Sequence, residues 1–384
     1  MSEAHGVSTL RHPDELAQIE ADWDRLIRGS RFSVPSFDSV RAWAREFDGH
    51  FLVLVHRTDG CVNALACFYC VTGKKAYKAG ERMLFTLPVR DLRLYGSAMP
   101  GVAEEAVAGQ FLDIVSREFR FDVLTLGDVP LDSPLHAAVT ARQSSFMVAE
   151  LSRKRSLRWL IRMPPSFDDY MMTLGAKSRQ NLRREARQFE KQFQAVFQSV
   201  RNADQAEPFL RDAEAISRKT YQWNVGQRIV NDEPARQDLV RRAQRGELQC
   251  YALHADGVPV AFMRGRLAGG TYDFETAGFD PAFAKASPGA VLLMFAIRDL
   301  IEQARCTTFD FGQGGDLVGY KARFGNESHV CASLQLGPKG SVYTRLLFVL
   351  QSVLFASLNL ANHLLGEGKL RARVKKALRK YGDG

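Results

Sequence analysis

The sequence predicts an α/β protein of two tandem units, each a mixed, twisted sheet covered by helices, followed by a helical tail. Three observations carry this. Residues 51–60 and 248–257 each read as an apolar strand running into an Asp-Gly hairpin turn, at Asp59-Gly60 and Asp256-Gly257, with a second apolar strand beyond. Met99-Pro100-Gly101 and Ser287-Pro288-Gly289 each open a helical pattern, followed at nearly the same spacing by short apolar strands at 121–127 and 308–312. Helices and hairpins then alternate through the second half in an order that implies a mixed sheet covered on both faces. The expected division is 1–152, 153–340 and a tail at 341–384.

Each element has a local reason. Helical periodicity surrounds Trp23 and Trp43, separated by a Ser33-Val34-Pro35-Ser36 turn. Strands follow at 51–56, 62–70 and 92–96, then a helix at 101–118 and a strand at 121–126. A connecting strand at 153–163 ends at Pro164-Pro165, and Ser166-Phe167-Asp168-Asp169 opens a helix with acidic residues in its first turn. A strongly basic helical stretch spans 177–191. The second unit continues with a strand at 193–200, helices at 204–221 and 235–245, and strands at 248–254, 258–267 and 271–278. A helix at 288–304, a strand at 307–311, a short helix at 316–323 and a strand at 329–336 complete it.

At 384 residues the chain can fill two ordinary cores, and its net charge of +9 is uneven. Residues 369–380 carry seven basic side chains and no acidic one, and a second basic cluster lies between Arg153 and Lys191, which suits phosphate-bearing partners. Cys67 and Cys70 form a CxxC, but inside a strand an odd offset sends the thiols to opposite faces, so a redox or metal pair is disfavoured. Buried, reduced thiols in a cytoplasmic protein are expected, and the N-terminus lacks the regions of a signal peptide. No His/Cys/Asp group has zinc spacing, so no metal is expected. Residues 346–365 have no formal charge but include Gln351, Ser352, Ser357, Asn359, Asn362 and His363. Six polar groups argue against a membrane span, leaving packing against the α/β body or a place in a membrane interface. With the basic tail, peripheral contact with the inner membrane, or with a membrane-bound synthase, is the expectation.

The sharpest chemical signal is Ser287-Pro288-Gly289. Ser suits the N-cap and Pro the first helical position, leaving the N–H groups of Gly289, Ala290 and Val291 to hold a pyrophosphate. In the preceding strand, alternation puts Tyr272, Phe274 and Thr276 on one face and Asp273, Glu275 and Ala277 on the other, so Glu275 is a candidate proton acceptor or a solvated sheet-face residue. Asp310 faces away from Phe309 and Phe311 on the next strand. The Gly312–Asp316 loop lacks the Lys-Ser/Thr ending of a nucleotide-hydrolysing motif. Beyond it, Tyr320 and Lys321 offer a proton and a positive charge, although Lys321 and Arg323 also fit simple surface charges.

The order of elements over 193–336, Ser287-Pro288-Gly289 at the central helix, Phe309-Asp310-Phe311-Gly312 on the next strand and Tyr320-Lys321 beyond resemble the GNAT acyltransferase superfamily. More specifically, the doubled organisation, Trp23-Asp24-Arg25-Leu26 and the basic 177–184 stretch are similar to the tandem proteins named after the cellulose-biosynthesis CelD/BcsL proteins. The resemblance covers about 15–340. It implies acyl transfer from acyl-CoA, chiefly acetyl-CoA, to an amine; the branch is assigned to exopolysaccharide or envelope-glycan biosynthesis without a defined acceptor, so whether that amine is sugar-linked stays open. It also implies a CoA segment from Gly278 to Gly289, with Glu275 or Asp310 as base and Tyr320 as acid. Gly278, Ser287, Gly289, Ala290, Val291 and Lys321 are the cofactor-binding candidates. The superfamily's usual Arg/Gln-x-x-Gly-x-Gly/Ala loop is absent, and Ser287-Pro288-Gly289 stands in its place. Two alternatives are a Fem-type transferase using aminoacyl-tRNA and an inactive scaffold of a polysaccharide synthase. Nucleic acid is otherwise not expected as a partner.

Overall fold

The computed structural model describes residues 6–28, 30, 32, 34–79, 82–96, 99–151, 155–220, 223, 228–312 and 319–364. The chain divides into two compact units, one made of 1–23, 37–155 and 332–384, the other of 24–36 and 156–331.

The first unit starts with β1 (Gly6–Leu10), a 3-10 helix at Pro13–Ile19, α1 (Glu20–Arg28) and α2 (Phe37–Glu46). β2 (Phe51–Thr58), β3 (Cys61–Ala79) and β4 (Arg82–Leu94) follow as an antiparallel meander, with β1 on the outer edge of β2. After α3 (Glu105–Glu118), β5 (Val123–Pro130) returns parallel to β4, and α4 (Pro134–Ala141) leads to β6 (Phe146–Glu150). Ala108, Phe111, Leu112 and Val115 recur at helical spacing and bury α3 on Leu52, Leu54, Phe68 and Leu124. Met99-Pro100-Gly101 does not open this helix. Gly101 has φ +75 and closes a turn in which Val102 N–H meets Met99 O at 3.2 Å, so the helix begins at Glu105.

In the second unit, β7 (Ser156–Arg162) precedes α5 (Phe167–Thr173), whose N-cap Ser166 accepts from Asp169 N–H at 3.1 Å, and α6 (Ala176–Gln192). Then come β8 (Ala195–Val200), α7 (Ala206–Ser217), α8 (Glu233–Gln244), β9 (Cys250–Ala255), β10 (Val258–Ala268) and β11 (Thr271–Phe279). α9 (Pro288–Glu302), β12 (Thr308–Asp310) and α10 (Tyr320–Phe324) follow, and β13 (Glu327–Pro338) pairs with β7 through Cys331. The strand order is β13-β7-β12-β11-β10-β9-β8, antiparallel except for β11 beside β12. α6 and α9 pack on one face through Leu182, Phe189, Val291, Leu292 and Ile297; α7 and α8 cover the other through Phe209, Leu210 and Leu239. The paired hairpins share one turn geometry, with φ of 51 and 78 at Asp59-Gly60 and again at Asp256-Gly257, as a two-residue type I′ turn requires.

Residues 332–338 of β13 belong to the first unit, where Leu334–Pro338 pair with β6, and lead into α11 (Val342–Leu364). The described part of the expected tail, 341–364, together with 332–340, groups with the first unit. Leu347 of α11 packs with Tyr77, Val89 and Val123, which explains why the β3–β4 hairpin runs far longer than its local pattern predicts. Cys67 is buried and Cys70 half-buried on β3, and among the described residues no two cysteines form a disulfide.

Candidate active site

The site begins where two strands part. β11 pairs with β12 only at Thr271↔Thr308, Tyr272↔Phe309 and Asp273↔Asp310, after which residues 274–279 run against β10 alone. A bulge also breaks the expected alternation. Arg264 lies opposite Thr276 while Gly265 lies opposite Phe274, so Glu275 is the extra residue. Ala277 and Phe279 thereby come to the face of Phe274, which strict period-two counting placed opposite. Asp280 N–H bonds Val260 O at 2.9 Å. By antiparallel alternation, Gly278 and Thr276 also turn to β10, and the backbone groups of Ala277 and Phe279 turn into the gap beside β12. Gly278 has no side chain for a packing reason: a Cβ there would lie 2.7 Å from the Phe262 ring.

The gap opens into a cleft of about 480 Å³ in the second unit, walled by Phe262, Met263, Phe274, Leu292, Leu293 and Phe324. Gly278, Gly289 and Ala290 supply a stretch of wall with little side chain, and Thr220, Tyr320 and Arg323 supply polar groups. Beside Ser287 a polar groove of about 460 Å³ carries Lys191 and Lys285.

The start of α9 differs from the sequence expectation. Ser287 adopts a left-handed conformation, φ 54 and ψ 44, and its side chain makes no cap bond. Its carbonyl instead accepts the N–H groups of Ala290 at 3.0 Å and Val291 at 3.1 Å. Of the three expected amides, Gly289 alone remains for a ligand. The tight turn from the preceding 3-10 helix (Pro281–Ala286) into Pro288 places the Ser287 carbonyl under both N–H groups. Ala290 lines the cleft, whereas the Val291 side chain is buried in the core.

Tyr320 opens α10 with its ring 6.4 Å from Phe274 and 6.2 Å from Phe311. The apolar wall around it pushes its hydroxyl up to about 12, so it keeps its proton at neutral pH. The two carboxylates are elsewhere. Glu275 meets Arg242 at 2.7 Å and Arg264 at 3.0 Å, and Asp238 pairs with the same two guanidiniums at 3.0 and 2.8 Å. The bulge turns Glu275 toward this network on the side opposite Phe274. Asp310, 0% exposed, pairs with Arg158 at 2.6 Å and accepts Gly312 N–H at 2.8 Å. Arg158 lies over the Phe32 ring at 4.8 Å. Neither carboxylate lines the cleft, and among the described residues no carboxylate or imidazole does. Lys321 donates to Phe311 O at 2.7 Å and does not line the cleft, while Arg323 pairs with Glu185 at 2.8 Å and fixes α10 to α6. Residues 313–318 of the Gly-rich loop lie outside the described residues. Sequence reading missed Thr220, Phe262 and Lys285. Lys285, two residues before Ser287, was the one with a visible signal.

Residues 176–322 match the family model described as Acetyltransferase (GNAT) domain. Among solved structures the chain is similar to FemX, at 10% identity and a TM-score of 0.55 over 82% of this chain and 95% of that one. It is also similar to the C-terminal domain (DUF2156) of a putative lysylphosphatidylglycerol synthetase from Agrobacterium fabrum, at 14% identity and a TM-score of 0.51, covering 89% and 97%. A tandem GNAT protein from the clavulanic acid biosynthesis pathway is similar at 12% identity and a TM-score of 0.45, covering 87% and 98%. No curated protein matches. The second unit thus carries a GNAT-type acetyltransferase domain, and the matched segment contains the splayed strands, the α9 start and Tyr320.

Proposed function

We propose that the second unit transfers an acyl group, acetyl in the simplest case, from acyl-CoA to an amine. The observation that carries this reading is the gap between β11 and β12, with the backbone of Ala277 and Phe279 turned into it and both Gly289 and Tyr320 at its rim. The Gly289 amide, at the positive end of α9, suits a pyrophosphate, and Lys285 and Lys191 extend the cationic surface past Ser287. The apolar cleft suits the pantetheine arm and acyl chain. A backbone N–H in the gap polarises the thioester carbonyl, and the amine adds to it. The adduct's ammonium gives up a proton through water as it collapses to the amide, the expelled thiolate takes the Tyr320 proton, and the released proton restores the Tyr320 hydroxyl.

With Glu275 and Asp310 held in ion pairs away from the cleft, we assign them to positioning the strands, and the amine reacts as its free base. The acceptor we infer is a glycan-linked amine, on the resemblance to the tandem CelD/BcsL-like proteins. The exposed Lys177, Arg183, Arg184, Arg187 and Lys191 of α6 give the aminoacyl-tRNA reading its own supporting surface. Isothermal titration with acetyl-CoA, CoA and charged tRNA at two salt concentrations separates the readings. Saturable binding of CoA and acetyl-CoA is expected. Binding of tRNA alone, steeply weakened by salt, overturns the acyl-CoA reading, and binding of none of the three leaves the scaffold.

A further inference from the structure

α11 packs on the first unit through Leu347, with two polar side chains buried beside it, and leaves a second row of apolar side chains turned outward. Thr344 is 0% and Gln351 8% exposed, whereas Val342, Leu346, Val349 and Val353 are 80%, 47%, 57% and 57% exposed. The buried polar groups are satisfied inside the first unit: Thr344 donates to Asp122 O at 3.0 Å, and Gln351 accepts from Lys75 Nζ at 2.6 Å. The four exposed residues recur at intervals of four, three and four, which makes one continuous apolar stripe. Met83, Leu84 and Phe85 at the end of the β3–β4 hairpin are exposed as well. Phe85 stacks on Tyr77 at 4.8 Å, and the Tyr77 hydroxyl meets Leu347 O at 3.1 Å, so Phe85 lies on the sheet face that α11 covers. Exposed apolar surface grouped in this way marks a docking face.

We propose that this face docks on an anionic lipid bilayer. The chain beyond α11 decides the occupant. Residues 365–384 carry seven Lys and Arg, all between Lys369 and Lys380, against Glu367 and Asp383. An apolar stripe followed along the chain by a cationic segment matches an acidic headgroup layer over hydrocarbon, where insertion and charge attraction reinforce each other. A second copy of the chain is a poorer match, because it brings two such cationic segments together. None of the described helices is long and apolar enough to cross a membrane, so α11 lies along the surface. An acyltransferase held there would meet acceptors carried on lipid.

Vesicle flotation of the full chain tests this. Vesicles of phosphatidylglycerol and phosphatidylcholine should carry the protein up the gradient, and phosphatidylcholine alone should not. Raising salt to 1 M, where screening acts within about 3 Å, should release most of it. A Leu346→Glu/Val349→Glu/Val353→Glu variant should lose at least about tenfold in bound fraction, as three charges in the stripe oppose insertion, while keeping the CoA affinity of the second unit. A fluorophore on Val353→Cys in a Cys61→Ser background should shift to the blue on anionic vesicles, and reads insertion even if the triple variant misfolds. Absence of flotation, an unshifted fluorophore, or a dimer in light scattering that the triple variant converts to monomer overturns the proposal, the last by giving the face to a second copy.

Discussion

Asp310→Asn discriminates between a catalytic and an architectural carboxylate. Asp310 is fully buried and takes three contacts from Arg158, two from Nε at 3.1 Å and one from Nη2 at 2.6 Å, besides the Gly312 N–H. The Arg158 side chain is 4% exposed, so the amide variant removes the Asp310 charge from beside a guanidinium held away from water. Breaking one side of a buried pair costs about 3–5 kcal/mol. At roughly 2–4 °C per kcal/mol for a unit of this size, Tm should fall by about 6–20 °C. Replacing both partners by apolar residues of similar volume, Arg158→Met with Asp310→Leu, should recover most of that loss, because no charge is then stranded. Circular dichroism melts supply the stability, and titration with CoA below the lowered Tm supplies the site. CoA affinity should hold within about threefold, since Asp310 lies outside the cleft. A variant that melts like the parent yet has lost turnover would refute the reasoning and return Asp310 to the chemistry.

Three further outcomes follow from the geometry. Gly289→Val should weaken CoA binding by more than about tenfold with Tm nearly unchanged, because an added Cβ would lie 3.3 Å from the Phe279 ring and the branches beyond it would crowd the cleft; unaltered affinity in titration places the phosphate elsewhere. Tyr320→Phe should lower kcat by about 10²–10⁴ at every pH up to 10 with little change in CoA affinity. Since the hydroxyl sits at about 12, the parent should show no alkaline fall from Tyr320 in that range. Glu327 is pulled down to about 2, chiefly by its hydrogen bond to Arg162 at 2.6 Å and further by His329. A depressed carboxylate contributes stability that is full above its unfolded value near 4.5 and is lost as pH falls toward 2. Discounted for partial exposure, that is roughly 2 kcal/mol. Urea titrations at pH 6 and pH 3 should show this loss in the parent, and Glu327→Gln should show a smaller difference between the two pH values.

Local pattern was enough for the elements whose cause is local. Asp59-Gly60 and Asp256-Gly257 needed only the left-handed tolerance of their residues to specify identical turns, and Pro288 followed by Val291, Leu293, Ile297 and Leu300 set the direction and buried face of α9. The same reading failed where a partner distant in sequence decides. Met99-Pro100-Gly101 looks like Ser287-Pro288-Gly289, yet Leu65 N–H holds Pro100 O at 2.8 Å and the chain turns before its helix begins. Strict alternation on β11 could not register a bulge, because the extra residue is defined only against β10, and that one residue moved Glu275 from candidate base to the Arg242–Arg264 network. The pairing of Asp310 with Arg158 spans 152 positions and leaves no trace in either neighbourhood. By itself the sequence determined the α/β class and the doubled hairpins, since periodicity and turn chemistry act over a few residues. Which side chains reach the cleft, which charges are already neutralised and which face of α11 is left apolar were decided only by tertiary packing, because burial and ion pairing are set by residues that the chain brings together from far apart.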